Sequence, residues 1–244
     1  GDLAQRTGST GSRSLYIGGS AMMTATNDAI EKGKELASSA LEASSGDIGY
    51  KDGRFTVAGT DLGIGLFELA AKQPEKRIAI KTTQKVGGPS WPNSCHVCEV
   101  EVDPETGVTQ IVKYTTVDDV GRVINPLIVA GQVHGGIAQA AGQALMENTQ
   151  YDAESGQLIT GSLLDYCIPR ADDLPNFDTF TDETTPCKIN PLGAKGVGEL
   201  GTVGGTPTII NALIDALRPL GVHHIEMPAT PERVWRAISQ AKAA

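Results

Sequence analysis

Apolar residues recur along the first third of the chain with two different periods. A period near 3.6 residues predicts an amphipathic helix, and strict alternation of apolar and polar residues predicts a strand. Asp52-Gly53 has the composition of a two-residue hairpin turn, and Thr60 has that of a helix N-cap. The predicted elements are a helix that opens at 18–20 and runs to about 43, a hairpin over 48–57, a helix over 62–72 and a strand over 78–86.

Gly87-Gly88-Pro89 interrupts these patterns and predicts a boundary between two lobes, residues 1–86 and 87–244. The second lobe is predicted to contain a hairpin with arms 98–102 and 108–117, an irregular acidic segment over 171–183, and helices that begin at Asn125-Pro126, Thr206-Pro207 and Thr230-Pro231. Helices and hairpins mix without a regular β-α alternation. We therefore predict an α+β fold in which helices pack on mixed and antiparallel sheets.

The helix that begins at Asn125 is predicted to reach about Asn148 and is unusually rich in glycine. It contains Gly131, Gly135, Gly136 and Gly142. Each glycine inside a helix costs about 1 kcal/mol relative to alanine. Such a helix is expected to persist only if another backbone or a bound ligand packs very close to it.

A glycine-crowded loop, residues 194–201, carries a single carboxylate, Glu199. Its glycines permit positive φ and close approach of a ligand. The helix predicted from Thr206-Pro207 follows almost at once, so Glu199 is expected just ahead of a helix N-terminus, among backbone N–H groups that can face an anion. The alternative is a flexible surface loop with a solvated glutamate.

Two further segments combine small residues with one polar anchor. Residues 8–14 contain a single guanidinium, that of Arg13, and the early part of the Asn125 helix contains Gln132. Glycine loops and helix N-termini together suit a phosphate-bearing ligand, and Arg13 could pair with a phosphate through two hydrogen bonds. The alternative for Arg13 is a surface arginine in a disordered N-terminal loop.

Two pairs of chemically suggestive residues are more simply read as parts of strands. Cys95 and Cys98 lie in an alternating segment, so their sulfurs are expected on opposite faces, and no second pair completes a zinc site. Asp118 and Asp119 are adjacent on a strand, so their carboxylates should diverge. We expect no metal ligands from this chain.

Charge and hydropathy exclude several classes of partner. The 244 residues contain 29 Asp and Glu against 20 Lys and Arg, without a long basic run. Nucleic acid and anionic membrane surfaces are therefore not expected partners. Apolar stretches fall short of the roughly 18 residues that a membrane span needs, and no secretory signal is visible. We expect a cytoplasmic protein, cut from a longer chain, that acts on a small molecule.

Seven stretches in order along nearly the whole chain resemble the C-terminal part of the large subunit of molybdenum hydroxylases, the family of xanthine dehydrogenase, aldehyde oxidase and aerobic carbon monoxide dehydrogenase. They are Gly11-Ser12-Arg13-Ser14, Val100-Glu101-Val102-Asp103-Pro104-Glu105-Thr106-Gly107, Asp118-Asp119-Val120-Gly121-Arg122-Val123-Ile124-Asn125-Pro126, Gly131-Gln132-Val133-His134-Gly135-Gly136, Asp165-Tyr166-Cys167-Ile168-Pro169-Arg170, Lys195-Gly196-Val197-Gly198-Glu199 and Thr230-Pro231-Glu232-Arg233-Val234. The ordered set is specific to this family.

The resemblance implies a molybdopterin cofactor in its cytosine dinucleotide form, with molybdenum held through the pterin dithiolene. It implies hydroxylation of an aldehyde or N-heterocycle with water as the oxygen source. Glu199 matches the active-site glutamate that acts as general base, and Gln132 matches a glutamine that hydrogen-bonds the pterin. Gly11, Ser12, Arg13 and Ser14 match a loop that lines the pterin and phosphate. Lys195, Gly196, Val197 and Gly198 match the loop that borders the metal.

The resemblance also implies partners, because large subunits of this family are much longer than this chain. The loops that surround the metal and the substrate in the earlier half are absent here. The chain is therefore expected to require the remaining part of the large subunit, together with an iron–sulfur subunit and a flavin subunit that carry iron–sulfur clusters and FAD. The alternative is a non-catalytic chain that binds cofactor or completes an interface of a partner subunit.

Overall fold

The computed structural model describes residues 8–85 and 87–243, which form two compact units. The first unit comprises the described residues up to Pro89 together with Lys188–Leu192. The second comprises Ser90–Cys187 and the described residues from Gly193 onward. Both units combine helices with small sheets, which confirms the predicted α+β class. The predicted division into lobes at residues 1–86 and 87–244 stays a prediction.

The first unit packs one long helix on a three-stranded antiparallel sheet. A π-helical turn, Leu15–Gly19, leads into α1, and the later elements follow in the order sheet and then short helix. The elements are α1 (Ser20–Leu41), β1 (Ile48–Lys51), β2 (Arg54–Val57), β3 (Gly63–Gly65) and α2 (Leu66–Ala71), with strand order β1-β2-β3. Its core is formed by Ala37, Ile48, Phe55, Ile64 and Leu69. The predicted long helix and the hairpin with its Asp52-Gly53 turn are confirmed; both turn residues have positive φ.

The start predicted for the second helix is wrong. Residues Gly63–Gly65 pair with β2 as a strand, and α2 begins only at Leu66. The Thr60 hydroxyl does not cap a helix; it donates to the Val57 carbonyl at 3.0 Å and accepts from the Leu62 amide at 3.2 Å. Thr60 therefore closes the turn between two strands, a role that the same short polar side chain performs as readily as capping.

The strand predicted over 78–86 is also wrong for the residues that the structure describes; Val86 lies outside them. Residues 78–85 alternate between half-buried and exposed positions, but they join no sheet. The inward side chains contact α1: Thr82 donates to Asp28 at 2.5 Å, and Thr24 donates to Gln84 at 3.0 Å. The alternation of residues 78–85 therefore results from packing of one face of the segment and not from hydrogen bonding to a neighbouring strand.

The second unit packs three helices against a mixed three-stranded sheet. The elements are β4 (Asn93–Val102), β5 (Thr109–Asp119), α3 (Pro126–Leu145), β6 (Phe177–Thr181), α4 (Leu200–Leu217) and α5 (Pro231–Ala243). The β4–β5 hairpin is confirmed and is antiparallel. Strand β6 lies parallel to β5, inside the segment predicted to be irregular. Its pairing partner lies about sixty residues earlier in the chain, so no local turn signal could reveal it.

The start of α3 follows its sequence signal. The Asn125 side chain accepts a hydrogen bond from the Ile128 amide at 3.2 Å, and Pro126 is the first helical residue. The helix ends at Leu145, three residues earlier than predicted. The last helix, α5, begins at Pro231 as predicted.

Helices α3 and α4 lie in direct backbone contact. A Cβ atom at Gly136 would stand 2.8 Å from the Cα atom of Gly201, and a Cβ atom at Gly201 would stand 2.6 Å from the Val133 carbonyl oxygen. One turn further along, a Cβ atom at Gly205 would stand 2.6 Å from the Ala140 side chain. Close packing by another backbone, as the glycine content predicts, therefore accounts for Gly136.

Hydrogen bonds beside this contact fix the direction of the two helices. The Thr202 hydroxyl donates to Gln139 at 3.0 Å, and the Thr206 hydroxyl donates to Gln143 at 3.3 Å. Since the partner numbers rise together, α3 and α4 run parallel, and their N-terminal ends point the same way. Gly131 and Gly135 lie on another side of α3, where a Cβ atom would meet nothing within 4 Å.

The predicted start of α4 at Thr206-Pro207 is wrong, because α4 begins at Leu200 and includes Pro207 in its interior. Pro207 lacks the N–H that would bond to the Val203 carbonyl, which normally weakens a helix. The packing of Gly201 and Gly205 against α3 stabilises the helix against this cost. Positive φ, which the glycines of this region permit, is not adopted by Gly196, Gly198, Gly201, Gly204 or Gly205. No helix in the described residues is long and apolar enough to cross a bilayer.

Adjacent glycines on α3 should respond oppositely to alanine. Gly136→Ala forces a Cβ atom against the Gly201 backbone and should lower the free energy of unfolding by about 1–3 kcal/mol. Gly135→Ala enters open space and should raise it by up to about 1 kcal/mol through helix propensity. Urea unfolding of both variants measures the difference. Equal effects of the two substitutions would contradict the backbone contact.

Candidate functional site

Glu199 occupies the N-cap position of α4 and is exposed. Its φ of −99° and ψ of −10° lead directly into the helix, and its carbonyl accepts the first helical hydrogen bond from Val203 at 3.0 Å. The preceding turn is closed by the Leu200 amide, which donates to the Val197 carbonyl at 3.2 Å. The sequence therefore placed this carboxylate correctly at a helix N-terminus, although it placed that N-terminus several residues too late.

The segment before Glu199 is held by backbone hydrogen bonds to the residues that follow β5. The Lys195 amide donates to the Val120 carbonyl at 2.7 Å, and the Arg122 amide donates to the Gly193 carbonyl at 2.8 Å. Gly121 lies between these two bonds with a φ of +65°, and a Cβ atom there would stand 2.3 Å from the Gly193 oxygen. Only glycine fits at this position, so the approach of the loop depends on it.

The side chain of Lys195 is directed at Asp119. The Nζ atom lies 2.5 Å from Asp119 Oδ2, and the two side chains are only 10% and 13% exposed. The same carboxylate accepts hydrogen bonds from the Gly121 amide at 2.9 Å and the Thr185 hydroxyl at 2.8 Å. Burial raises the pKa of Asp119, but these hydrogen bonds and the Lys195 charge outweigh it and hold the pKa below its usual value.

Asp118 points the opposite way and is fully buried, so the predicted divergence of the two carboxylates is confirmed. It accepts hydrogen bonds from Ser94 at 2.5 Å and Thr116 at 2.7 Å. His96 Nε2 lies 3.6 Å from Asp118 Oδ1, an electrostatic contact that is too long for a hydrogen bond. Burial raises the pKa of Asp118, but the neighbouring His96 ring and the two hydroxyls lower it overall.

This buried cluster continues beneath α4. His96 Nδ1 lies 2.9 Å from the Tyr114 hydroxyl, and burial raises the pKa of Tyr114 above its usual value. The His96 ring lies against Gly204, where a Cβ atom would stand 2.8 Å from it. This cluster was not predicted from the sequence. Its signal was the two-residue spacing of Ser94 and His96 on β4 opposite Asp118 and Thr116 on β5, which the strand register pairs directly.

Gln132 is exposed on α3, close to the contact between α3 and α4. It precedes Val133, whose carbonyl oxygen lies against Gly201, two residues after Glu199. The structure therefore brings Gln132 and Glu199 to either side of the same helix contact. Gly131 and Gly135 flank Gln132 with open space where their side chains would be, so a flat ligand could approach the α3 backbone there.

The other loop residues that the sequence predicted differ in their exposure. Gly196 is buried, and its amide donates to the Ser90 hydroxyl at 3.1 Å. Val197 is half-buried and packs against the core of the second unit. Gly198 is exposed beside Glu199. The loop therefore presents Gly198 and Glu199 on its surface, whereas Lys195, Gly196 and Val197 face inward.

The predicted phosphate loop, residues 8–14, belongs to the first unit. Gly11 and Ser12 both have positive φ, and the Arg13 amide donates to the Thr10 carbonyl at 3.4 Å. Ser14 follows as the N-cap of the π-helical turn that leads into α1, and its hydroxyl bonds to that of Ser9. The loop thus forms a tight turn at the N-terminal end of a long helical segment, which is a favourable place for an anion.

Cys95 and Cys98 both lie on β4, but in different environments. Cys95 is exposed, whereas Cys98 is half-buried, and burial raises the pKa of its thiol to about 12. Among residues 8–85 and 87–243, no group of three or more His, Cys, Asp and Glu side chains is arranged to hold a metal ion.

Comparison with protein families matches residues 2–175 to a molybdopterin cofactor-binding domain. The chain is 38% identical over 237 residues to the gamma subunit of the 6-hydroxypseudooxynicotine dehydrogenase complex of Paenarthrobacter nicotinovorans, covering 93% of this chain and 30% of the relative. The relatives' match thus extends past the family match and includes the Glu199 loop.

Solved structures agree with the sequence relatives. The fold matches reconstituted CO dehydrogenase from Oligotropha carboxidovorans with a TM-score of 0.84 and 32% identity, covering 97% of this chain and 30% of that one. It matches quinoline 2-oxidoreductase from Pseudomonas putida 86 with a TM-score of 0.80 and 35% identity, covering 96% and 31%. The chain thus spans about 30% of the length of the relatives it matches.

The lowered pKa of the buried Asp118 leads us to expect a specific dependence of stability on pH. A carboxyl group with a lowered pKa in the folded protein contributes stability that is complete above its unfolded pKa of about 4 and is lost as the pH falls through the folded value. The free energy of unfolding should therefore fall more steeply below about pH 4 in the wild type than in Asp118→Asn. Ser94→Ala, which removes one hydrogen bond to this carboxylate, should give an intermediate slope in urea unfolding. Identical slopes in all three proteins would contradict the assignment.

Proposed function

The chain belongs to the molybdopterin cofactor-binding domains of molybdenum hydroxylase large subunits, and we propose that it supplies the general base of such an enzyme, Glu199, together with part of the cofactor site. The observation that carries this proposal is the position of Glu199: an exposed carboxylate at the N-cap of α4, on a loop whose backbone is bonded to the residues that follow β5, beside the contact between α3 and α4 that Gln132 also borders. The reaction proposed is hydroxylation of an aldehyde or N-heterocycle with water as the oxygen source.

The residues of the second unit fit a flat, polar-edged cofactor. Gln132 offers an exposed amide that can donate and accept hydrogen bonds at the edge of a pterin, and Gly131 and Gly135 leave the adjacent backbone open. In the first unit, the turn formed by Gly11, Ser12, Arg13 and Ser14 would bind the phosphates, and the cytosine dinucleotide form is the one we propose. Gly198 would border the metal beside Glu199, and Lys195, Gly196 and Val197 would support that border from within the loop.

The bound cofactor would supply a redox metal that accepts the two electrons released when oxygen from water joins the substrate carbon. Glu199 would accept the proton released in that transfer, as a carboxylate base positioned at the reacting oxygen. Its exposure lets it return the proton to solvent in the free enzyme. The rigid loop before it holds the carboxylate in place, which lowers the entropic cost of reaching a reactive geometry.

We also propose that other polypeptide covers part of this chain. The relatives are about three times as long, and large apolar side chains are exposed in both units: Leu127 is 83% exposed on α3, Leu164 is 93% exposed and Phe67 is 88% exposed on α2. Scattered exposed apolar residues are common, but side chains this exposed are suited to an interface with the rest of a large subunit. An iron–sulfur subunit and a flavin subunit would then receive the electrons.

Replacement of the proposed base tests the assignment in the assembled enzyme. Glu199→Gln keeps the shape of the side chain but removes its basicity, so kcat should fall by about 10³-fold while molybdenum and pterin contents stay at wild-type levels. Glu105→Gln, an exposed glutamate on the β4–β5 turn, is the matched control and should leave kcat unchanged. Steady-state turnover and metal analysis of the same preparations measure both effects.

Near-normal turnover in Glu199→Gln would remove Glu199 from the role of base. Equal losses of molybdenum and of turnover would instead assign Glu199 to cofactor binding, which would also contradict the proposal.

The proposed phosphate contact of Arg13 is tested separately, by retention of the cofactor. Arg13→Ala should lower the molybdenum and pterin content of the purified enzyme, while kcat per bound molybdenum stays unchanged, because the guanidinium would pair with a phosphate away from the reacting atoms. Arg13→Lys should retain less cofactor than the wild type, since an ammonium lacks the two-bond geometry. Arg77→Ala, an exposed arginine of the same unit, serves as control. Unchanged molybdenum content in Arg13→Ala would exclude Arg13 from the site.

A further inference from the structure

We infer that Asp119 and Lys195 form an anchor that positions Glu199, so that Lys195 acts on the site through the loop and not by binding the cofactor. This inference rests on the proposed function for the role of Glu199, and on the geometry of the loop for the anchor itself. The two residues lie 76 positions apart in the chain, and their ion pair joins the end of β5 to the loop four residues before Glu199.

The surroundings of the pair show that it is built into the fold. Asp119 uses both carboxylate oxygens: Oδ1 accepts from the Gly121 amide, and Oδ2 accepts from Thr185 and Lys195. Both side chains are nearly buried, so solvent screens their attraction far less than it screens an exposed pair. Two further ion pairs of this unit, Arg218–Asp215 and Arg236–Glu232, lie on exposed helix surfaces.

The ion pair of Asp119 and Lys195 lies beside the backbone hydrogen bonds that hold the loop before Glu199. Backbone bonds hold the loop from Gly193 to Lys195, and the Gly196 amide is held by Ser90. After Gly196, the chain turns into α4, and the Leu200 amide donates to the Val197 carbonyl within that turn. A shift at Lys195 would therefore move Gly198 and Glu199 relative to α4 and Gln132. A displacement of about 1 Å at a catalytic group can cost 10²-fold in rate.

The inward direction of Lys195 separates this role from direct cofactor binding. Its ammonium nitrogen is in contact with the Asp119 carboxylate, and its side chain is 10% exposed. Binding of a phosphate or pterin oxygen by the same nitrogen would require it to leave a buried carboxylate without its counter-charge, which is costly. The sequence resemblance groups Lys195 with the loop that borders the metal; the geometry assigns it a positioning role there.

Four variants in the assembled enzyme test the anchor: Lys195→Met, Asp119→Asn, the double variant and Lys195→Arg. The two single variants should lower kcat by about 10- to 100-fold with KM and molybdenum content unchanged. The double variant leaves no unpaired buried charge, but it still lacks the anchor, so its kcat should be no higher than that of the single variants. Lys195→Arg keeps the positive charge and should retain most of the wild-type kcat. Arg236→Met, which breaks an exposed ion pair on α5, is the matched control and should retain wild-type kcat.

Amide hydrogen exchange over residues 193–199 supplies a readout that does not depend on activity. Loss of the anchor should speed exchange in this segment in Lys195→Met, Asp119→Asn and the double variant, and not in Arg236→Met. Unchanged exchange over residues 193–199 in these three variants would overturn the anchor, independently of the catalytic role of Glu199. Recovery of kcat in the double variant would also overturn it, because the single-variant losses would then come from an unpaired charge.

Loss of molybdenum in Lys195→Met but not in Asp119→Asn would overturn the inference in favour of direct cofactor binding. The proposed function fails by a different result, wild-type turnover in Glu199→Gln. Since hydrogen exchange reports the anchor without reference to catalysis, the two failures are distinguishable.

Discussion

The close approach of α3 and α4 is the constraint on which the second unit depends. Gly136 and Gly201 bring the two backbones into contact, and no larger side chain fits at either position without a shift of the backbone. This contact stabilises α4 from Leu200 onward against the helix-breaking tendency of Pro207. Gln132, in the second turn of α3, and Glu199, at the N-cap of α4, both border this contact, although the two residues are far apart in sequence.

The sheet of the second unit supports the site through two adjacent carboxylates at the end of β5, which contact different parts of the unit. Asp118 faces inward and joins Ser94, Thr116 and the His96 ring, which packs against Gly204 of α4. Asp119 faces the loop and holds Lys195. The end of β5 thus supports α4 through Asp118 and the His96 ring, and it supports the Glu199 loop through Asp119. The alternation of side chains along a strand makes this division possible.

Local signals predicted the elements that local residues determine. The Asp52-Gly53 turn, the Asn125-Pro126 helix start and the β4–β5 hairpin all follow from neighbouring residues. Strand β6, the start of α4 and the Asp119–Lys195 pair depend on residues many positions away, so no local pattern reveals them. For the site, sequence spacing placed Glu199 at a helix N-terminus, and the roles of Gln132 and Arg13 came from resemblance. The buried His96 cluster required the strand register.

The proposed function requires that this chain hold part of a molybdopterin site in a larger enzyme. Metal and cofactor analysis of the protein purified from its native host, with all polypeptides that accompany it identified, tests this requirement. We expect molybdenum and a pterin dinucleotide in near-equal amounts, together with the remaining large-subunit sequence and an iron–sulfur subunit. A stable preparation of this chain with its native partners, active or not, that contains neither molybdenum nor pterin would contradict it.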